Sequence, residues 1–400
     1  MDLKNVETHI VFHQKYDKGA YRILDFTKEL GDLYAEKMET NADEFPNFCI
    51  KGALDEEAVL CTNDATFQLR KRLTTNSMLI CTEVPISDAS PLPDIQTDNV
   101  TYDNTHEVRV VQVLDNQTFT GELVRIIPNF EKMNTLLEAT AYKGPDEEEQ
   151  YLKHNTKFYT LDDLDDIIQA SLEEIKQVLK KRLAIELDGY WRYIDPDYMY
   201  RTLDIILSTA ISDGISLDEI RLSDICMSLS GLGIPKDIAR QCLKQFSEAG
   251  NEYTEDDCSY RISKSKVCKY MGTHLLRKER DKYRWMVDDF IAEWQQIVPF
   301  DFEPSLDLLR GEYLLDSDSA LGKSTIRYFS ASELPTSAPE RFDILFAARF
   351  KWEADDIRTY VEDIAFDTMH RDYLLLEYGR LIRGSEGKLW FCGKYRNKRG

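Results

Sequence analysis

The chain has 400 residues, and its 72 Asp+Glu against 50 Lys+Arg give a formal net charge of −22. With 42% hydrophobic and 11% aromatic residues but only 18 Gly and 12 Pro, it is excluded from the collagen-like, mucin-like and wholly disordered classes. Such acidity also excludes a surface that coats DNA or an anionic membrane throughout, so any polyanion contact must come from locally basic segments. Length alone suggests two to four domains.

The N-terminal 130 residues read as strands. Ile10–Phe12, Tyr21–Phe26, Phe48–Ile50, Ala58–Cys61, Phe67–Arg70, Ser77–Glu83, Val108–Leu114 and Phe119–Ile127 are short, rich in Val, Ile, Phe and Thr, and separated by polar or Gly/Pro breaks. This pattern predicts a barrel or sandwich rather than a βαβ sheet. Ile86–Asn104, near Pro85, Pro91 and Pro93, reads as a mobile loop. A helix over Asn129–Ala139 follows, with Phe130, Met133, Leu136 and Leu137 on one face. Gly144-Pro145 then stops the helix, and the acidic run Asp146–Glu149 opens a solvated linker over 146–157.

The remainder reads as helices followed by aromatic strand pairs, repeated three times. In the first unit, 158–212, Thr160-Leu161-Asp162-Asp163 and Ser171-Leu172-Glu173-Glu174 open helices, and Asp188-Gly189 turns a hairpin. A helix from Pro196 to about Ile211 closes it. In the second, 213–297, Ser216–Glu219, Ser223–Ile225 and Pro235–Ile238 start helices, Tyr260–Ile262 is a strand, and one long helix spans Lys264–Ile297. The third, 298–400, has helices at Glu340–Phe350, Ala354–Ile364 and Met369–Leu381, then a glycine-rich turn between short strands at Arg383–Phe391. The predicted fold is therefore α+β: an N-terminal β-barrel-like region, 1–145, followed by three tandem winged-helix domains.

No catalytic constellation emerges. Ser317–Thr325 mimics a phosphate-binding loop, but Ser317 stands at the first glycine position, and Thr325–Phe329 alternates like a strand where an apolar helix should begin. A polar turn between strands is the simpler reading. His9 and His13 lack a third ligand, and the eight cysteines form no CxxC pair, so neither metal nor cofactor is expected. Scattered charges near the N-terminus and no apolar run of membrane-spanning length predict a soluble intracellular protein with no membrane contact.

Charge by region is more informative. Gly144–Ile175 carries ten acidic and two basic residues. Ser259–Trp285 carries nine basic residues, Arg261, Lys264, Lys266, Lys269, Arg277, Lys278, Arg280, Lys282 and Arg284, against two acidic ones. From Tyr378 onward, Arg380, Arg383, Lys388, Lys394, Arg396, Lys398 and Arg399 face only Glu386. Both islands sit where a winged helix touches nucleic acid. They are the candidate DNA contacts, against solvated helix faces and a nuclear-import tail at Lys394–Arg399 as alternatives. Tyr190, Trp191 and Arg192 in the acidic unit are the partner-binding candidates, although Tyr190-Trp191 also suits wing and core packing.

Several blocks, in order along nearly the whole chain, resemble the Dcc family, named for defective sister chromatid cohesion. They are Lys51-Gly52 with Glu57–Thr62, Tyr142–Pro145, Ile168–Ser171, Gly189–Arg192, Trp294–Gln296 with Val298-Pro299, and Arg341-Phe342, Leu345-Phe346, Trp352 and Asp356-Ile357. The resemblance implies a non-enzymatic nuclear subunit of an alternative replication-factor-C clamp loader. Its N-terminal β-region would build a composite barrel with the large and small chromosome-transmission-fidelity subunits, an open sheet edge being one that must be paired or covered. It further implies three winged helices, assembly with the small replication-factor-C subunits, action on the sliding clamp, docking onto the catalytic subunit of DNA polymerase epsilon, and weak DNA contact. The alternatives from other classes are a monomeric winged-helix transcription or chromatin factor and a P-loop NTPase.

Overall fold

The computed structural model describes residues 6–12, 19–28, 30–32, 34–35, 48–83, 107–154, 156–248, 259–278, 280, 285–318, 323–384 and 387–394. The chain divides into two compact units, the first made of residues 1–126 with Gln169–Glu173 and the second of Ile127–Ile168 with Glu174–Gly400. The fold is mixed α+β.

The first unit is one sheet in the order β1-β6-β5-β4-β3, with β2 beside β6. These strands are β1 (Val6–Phe12), β2 (Leu24–Asp25), β3 (Cys49–Lys51), β4 (Val59–Cys61), β5 (Thr66–Glu83) and β6 (Glu107–Ile126). Among the described residues the sheet does not close into a barrel. The four short strands expected over 67–127 are two long ones. The polar stretch Thr74–Ser77 is absorbed as an irregularity between Leu73 and Met78 rather than a chain reversal. Asp115, equally polar, is fully buried. Its carboxylate accepts from the backbone amides of Gly19 (3.0 Å) and Tyr21 (3.2 Å) and from Gln117 Nε2 (2.7 Å). Of Tyr21–Phe26 only β2 pairs, parallel to β6 at Gly121 and Glu122. A Cβ on Gly121 would lie 2.8 Å from Leu24 Cδ2 and 2.9 Å from Leu69 Cδ1, so glycine is what lets β2 approach. The loop Ile86–Asn104 lies outside the described residues.

The second unit opens with α1 (Glu131–Ala139), whose Met133 and Leu137 are buried. Four rounds of helix, strand, further helical turns and closing strand follow among the described residues, where the sequence spacing predicts three; the first, third and fourth close on a hairpin and the second on β10. The first round has α2 (Pro145–Lys153), a single-residue strand at Tyr159, α3 (Leu161–Ile167), α4 (Leu172–Lys181) and the hairpin β7 (Ile185–Leu187)/β8 (Tyr190–Arg192). The second has α5 (Pro196–Ser212), β9 (Ile220–Arg221), α6 (Leu222–Gly231), α7 (Lys236–Phe246) and β10 (Ser259–Tyr260). The third has α8 (Lys264–Lys278), β11 (Trp285–Met286), α9 (Val287–Ile297), a 3-10 turn at Leu306–Leu309 and the hairpin β12 (Tyr313–Asp318)/β13 (Lys323–Tyr328). The fourth has α10 (Ala338–Ala348), β14 (Lys351–Glu353), α11 (Ala354–Thr359), α12 (Thr368–Tyr378) and β15 (Gly379–Arg383)/β16 (Leu389–Gly393). In every round the first strand pairs with the closing strands: Tyr159 with Trp191, β9 with β10, β11 with β13, β14 with β16.

Four expectations are corrected here. The acidic linker 146–157 contains α2, because Pro145 suits a first helical turn and Asp146–Glu148 complement its dipole. The long helix Lys264–Ile297 is interrupted by β11, where Trp285 pairs with Ile326. Ser216–Glu219 forms a turn into β9 rather than a helix start. The third helix of the last round stops at Tyr378 instead of Leu381. A Cβ at Gly379 would meet the Leu375 carbonyl at 2.7 Å, and the chain turns there into β15.

The core of this unit is continuous through the first three rounds, from Leu203 and Ile206 on α5 through Cys242 and Leu243 on α7 to Phe290 and Trp294 on α9. Gly272 on α8 makes room for Trp294, whose Cε2 would lie 2.6 Å from an added Cβ, and the indole donates to Cys268 O at 3.0 Å. A second cluster around Phe342, Leu345 and Trp352 fills the last round.

Candidate functional site

The nominated residues separate sharply once placed. Arg192, nominated for partner binding, is buried and paired within the chain. It is 2% exposed, and its Nη1 and Nη2 donate to Glu148 at 3.0 and 2.7 Å, while its guanidinium lies over the Phe158 ring at 4.1 Å. The acidic run was expected to be solvated, yet one of its members neutralises a buried arginine. Trp191 is half-buried and bridges to Tyr159, leaving Tyr190 as the exposed member of the trio.

The first basic island is largely engaged within the chain. Arg261 lies 3.9 Å from Asp218, Lys264 2.6 Å from Asp301, and Arg277 3.9 Å from Glu333. Arg280 also reaches Glu333, at 3.6 Å. These exposed pairs are weak and salt-screened. Lys266 does something different: its Nζ donates to the carbonyls of Ser247 (2.6 Å) and Gln245 (3.3 Å), satisfying the C-terminal end of α7. Lys269 and Lys278 on α8 are drawn into no ion pair or hydrogen bond among the described residues. Lys282 and Arg284 lie outside those residues.

The second island repeats the division. Lys394 Nζ donates to the carbonyls of Glu377 (3.0 Å) and Leu376 (2.5 Å), ending α12 as Lys266 ends α7. Lys388 sits 3.4 Å from Glu353. Arg380 and Arg383 on β15 are exposed and make no such contact among the described residues. Arg396, Lys398 and Arg399 lie outside them. The helix that precedes this hairpin, α12, offers no basic face. Its exposed stripe is Met369, Tyr373 and Leu376, 80%, 60% and 53% exposed.

Three features escaped sequence reasoning. One is the edge of β5. On the side away from β6, only Thr66–Gln68 pair with β4, so among the described residues 70–83 form no ladder there. Leu73 and Leu79 project from this stretch, 74% and 38% exposed. Merging the flanking polar runs into one strand was the signal needed to find it. Another is Arg341, 1% exposed, whose guanidinium donates to Asp363 and to the carbonyls of Pro335, Tyr360, Ala331 and Leu334. The third is the set of contacts made by Gln169–Glu173, described below. Among the described residues no group of His, Cys, Asp and Glu is arranged to hold a metal, and no helix is long and apolar enough to cross a membrane. The phosphate-loop look-alike is the β12/β13 hairpin, with Ser324 and Thr325 on an antiparallel strand instead of a helix N-terminus.

The family model described as sister chromatid cohesion protein Dcc1 matches residues 21–361. The chain belongs to the Dcc1 family. A mouse relative, sister chromatid cohesion protein DCC1, is 31% identical over 84% of this chain and 79% of its own length. The human protein of the same name is 30% identical over 82% of this chain and 79% of its own. The budding-yeast protein is 22% identical over 92% and 95%. The Dcc1 model spans all of β5 and β6, the first three rounds and the fourth through α11. Arg380, Arg383 and Lys394 fall beyond it. The Dcc1 name denotes a role in cohesion, not a reaction.

Proposed function

We propose that this Dcc1-family chain is a non-catalytic nuclear subunit of an alternative replication-factor-C clamp loader that acts on the sliding clamp at replication forks. The observation that carries the reading is the stretch 70–83 of β5, which among the described residues forms no ladder on the side away from β6. An exposed strand edge carrying apolar side chains is a template for strands from another chain. The large and small chromosome-transmission-fidelity subunits would complete the sheet there, joining this chain to the small replication-factor-C subunits. The recurring order of helix, strand, helical turns and closing strand supports winged-helix assignments for the second unit, with docking to the catalytic subunit of DNA polymerase epsilon and weak DNA contact as their roles. For DNA, we assign Lys269, Lys278, Arg380 and Arg383, which form no ion pair or hydrogen bond among the described residues.

Co-expression with the two chromosome-transmission-fidelity subunits tests the first part. A stable ternary complex is expected, and Leu73→Glu with Leu79→Glu should abolish it while the variant chain stays folded. Undiminished assembly of that variant would sink the edge assignment. For DNA, changing the four cations to Ala should flatten the log–log salt dependence, each phosphate contact carrying a slope of about 0.9 on duplex. An unchanged slope would mean that these residues are solvated only.

A further inference from the structure

Gln169–Glu173 belongs to the first unit although it follows α3 of the second. Gln169 Nε2 donates to Glu57 O at 2.7 Å and to Lys51 O at 3.5 Å. Lys51 Nζ returns a bond to Ala170 O at 2.8 Å. The Ser171 amide donates to Thr66 Oγ1 at 3.0 Å, and the Glu173 amide to Asn63 O at 3.3 Å. Ala170 and Ser171 are 0% and 1% exposed, so this segment is packed, not laid over the surface. Gly52, at φ +152°, keeps the approach open, since a Cβ there would lie 3.0 Å from Gln169 Nε2. Every one of these partners lies on β3, β4, β5 or the turns that join them.

The segment is tethered directly to α3. That helix has only seven residues and depends on its ends. Thr160 Oγ1 accepts from the Asp163 amide at 3.1 Å, Asp163 Oδ2 accepts from the Thr160 amide at 2.9 Å, and the Ile168 amide closes the last turn on Leu164 O at 2.9 Å. A short helix with a reciprocal cap frays readily once the cap is lost.

We propose that Gln169–Glu173 is a clasp that completes the β3–β4 edge of the first unit and couples its order to the capping of α3. Loosening α3 frees the clasp and opens β3–β4. Conversely, any chain that binds and orders the first unit tightens α3, because coupling between two sites is reciprocal. The inference rests on the clasp contacts alone and stands whichever partner binds the first unit.

Hydrogen exchange on the full chain reads the coupling. Gln169→Ala removes the side-chain bonds to Lys51 and Glu57. It should speed amide exchange about tenfold in Cys49–Cys61, the effect of losing one such hydrogen bond, and also in 161–168. Thr160→Val, which breaks the cap of α3, should speed exchange in the same two segments. Asp195→Ala, which uncaps α5 by removing the acceptor for the Asp197 and Tyr198 amides, should leave Cys49–Cys61 unchanged. The proposal is overturned if Gln169→Ala and Thr160→Val each act only on their own segment. It is equally overturned if Asp195→Ala opens Cys49–Cys61 as much as they do, since the effect would then be general destabilisation.

Discussion

The two units hold themselves together by different means. In the second, aromatic and aliphatic side chains fill one interior through the first three rounds and another in the last, and even its buried arginines are roofed by rings or carbonyls. In the first, a smaller buried apolar cluster among the described residues comprises Leu30, Leu60, Ala65, Phe67 and Leu123. Order there comes from strand ladders, one buried carboxylate and a clasp borrowed from later in the chain. Among the described residues, 70–83 of β5 form no ladder on the side away from β6, so the first unit leans more on backbone pairing and the second on side-chain packing.

The largest effect expected from this contrast is in the second unit. Arg341→Met strands Asp363 and four carbonyls in the interior, and breaking such a buried pair costs about 3–5 kcal/mol. Arg341→Lys should recover little, since an ammonium cannot span acceptors set for a planar fork. Urea unfolding followed by tryptophan fluorescence checks both. A loss below about 1 kcal/mol would mean that this interior tolerates polar defects as the first unit does.

Next is Gly272→Ala. On an exposed helix this change stabilises by about 1 kcal/mol, but here the new methyl meets the Trp294 ring. Overpacking should reverse the sign, to a loss of about 1–3 kcal/mol. The direction of the shift in midpoint decides whether packing or propensity rules α8.

For the first unit the test is pH. Backbone donation from Gly19, opposed by burial and aided by Tyr21, Asn116 and Gln117, holds the Asp115 carboxyl below its ordinary 3.8. Its folded value is the lower one, so its contribution is complete above pH 3.8 and is lost as the pH falls through the folded value. Amide exchange at Gly19 and Tyr21 should accelerate over that range while the second unit keeps its protection. Asp115→Asn should loosen the same amides at neutral pH and remove the pH dependence. The smallest effect is expected from Arg380→Ala with Arg383→Ala, within about 0.5 kcal/mol of the parent in thermal unfolding.

Helix starts were the most legible part of the sequence, because caps are local: Thr160 with Asp163, and Asp195 before Pro196, sit where their residue types predict. The hairpins at Asp188-Gly189 and Arg383–Phe391 were legible for the same reason. What misled was polarity read as solvent. Asp115 and Glu148 are acidic residues that look like loop or linker, yet one ties a distant turn to β6 and the other pairs with Arg192 across 44 positions. Within the basic islands the same rule hid two internal contacts. Net charge counted Lys266 and Lys394 as free cations, whereas each ends a helix. The clasp was visible only as two unrelated blocks, Lys51-Gly52 and Ile168–Ser171, because nothing local joins residues so far apart.

That separation sets a timetable for synthesis. A ribosome adding about 5–20 residues per second releases Glu173 some 2 to 10 s after Ile126. During that interval the sheet has all its strands but not its closing segment. Its open β3–β4 edge then coincides with the edge of β5 that no described strand pairs. A nascent chain in this condition offers two strand edges to any neighbour, so the first unit would be most exposed to mispairing, and most receptive to an assembling partner, before the second unit has been made.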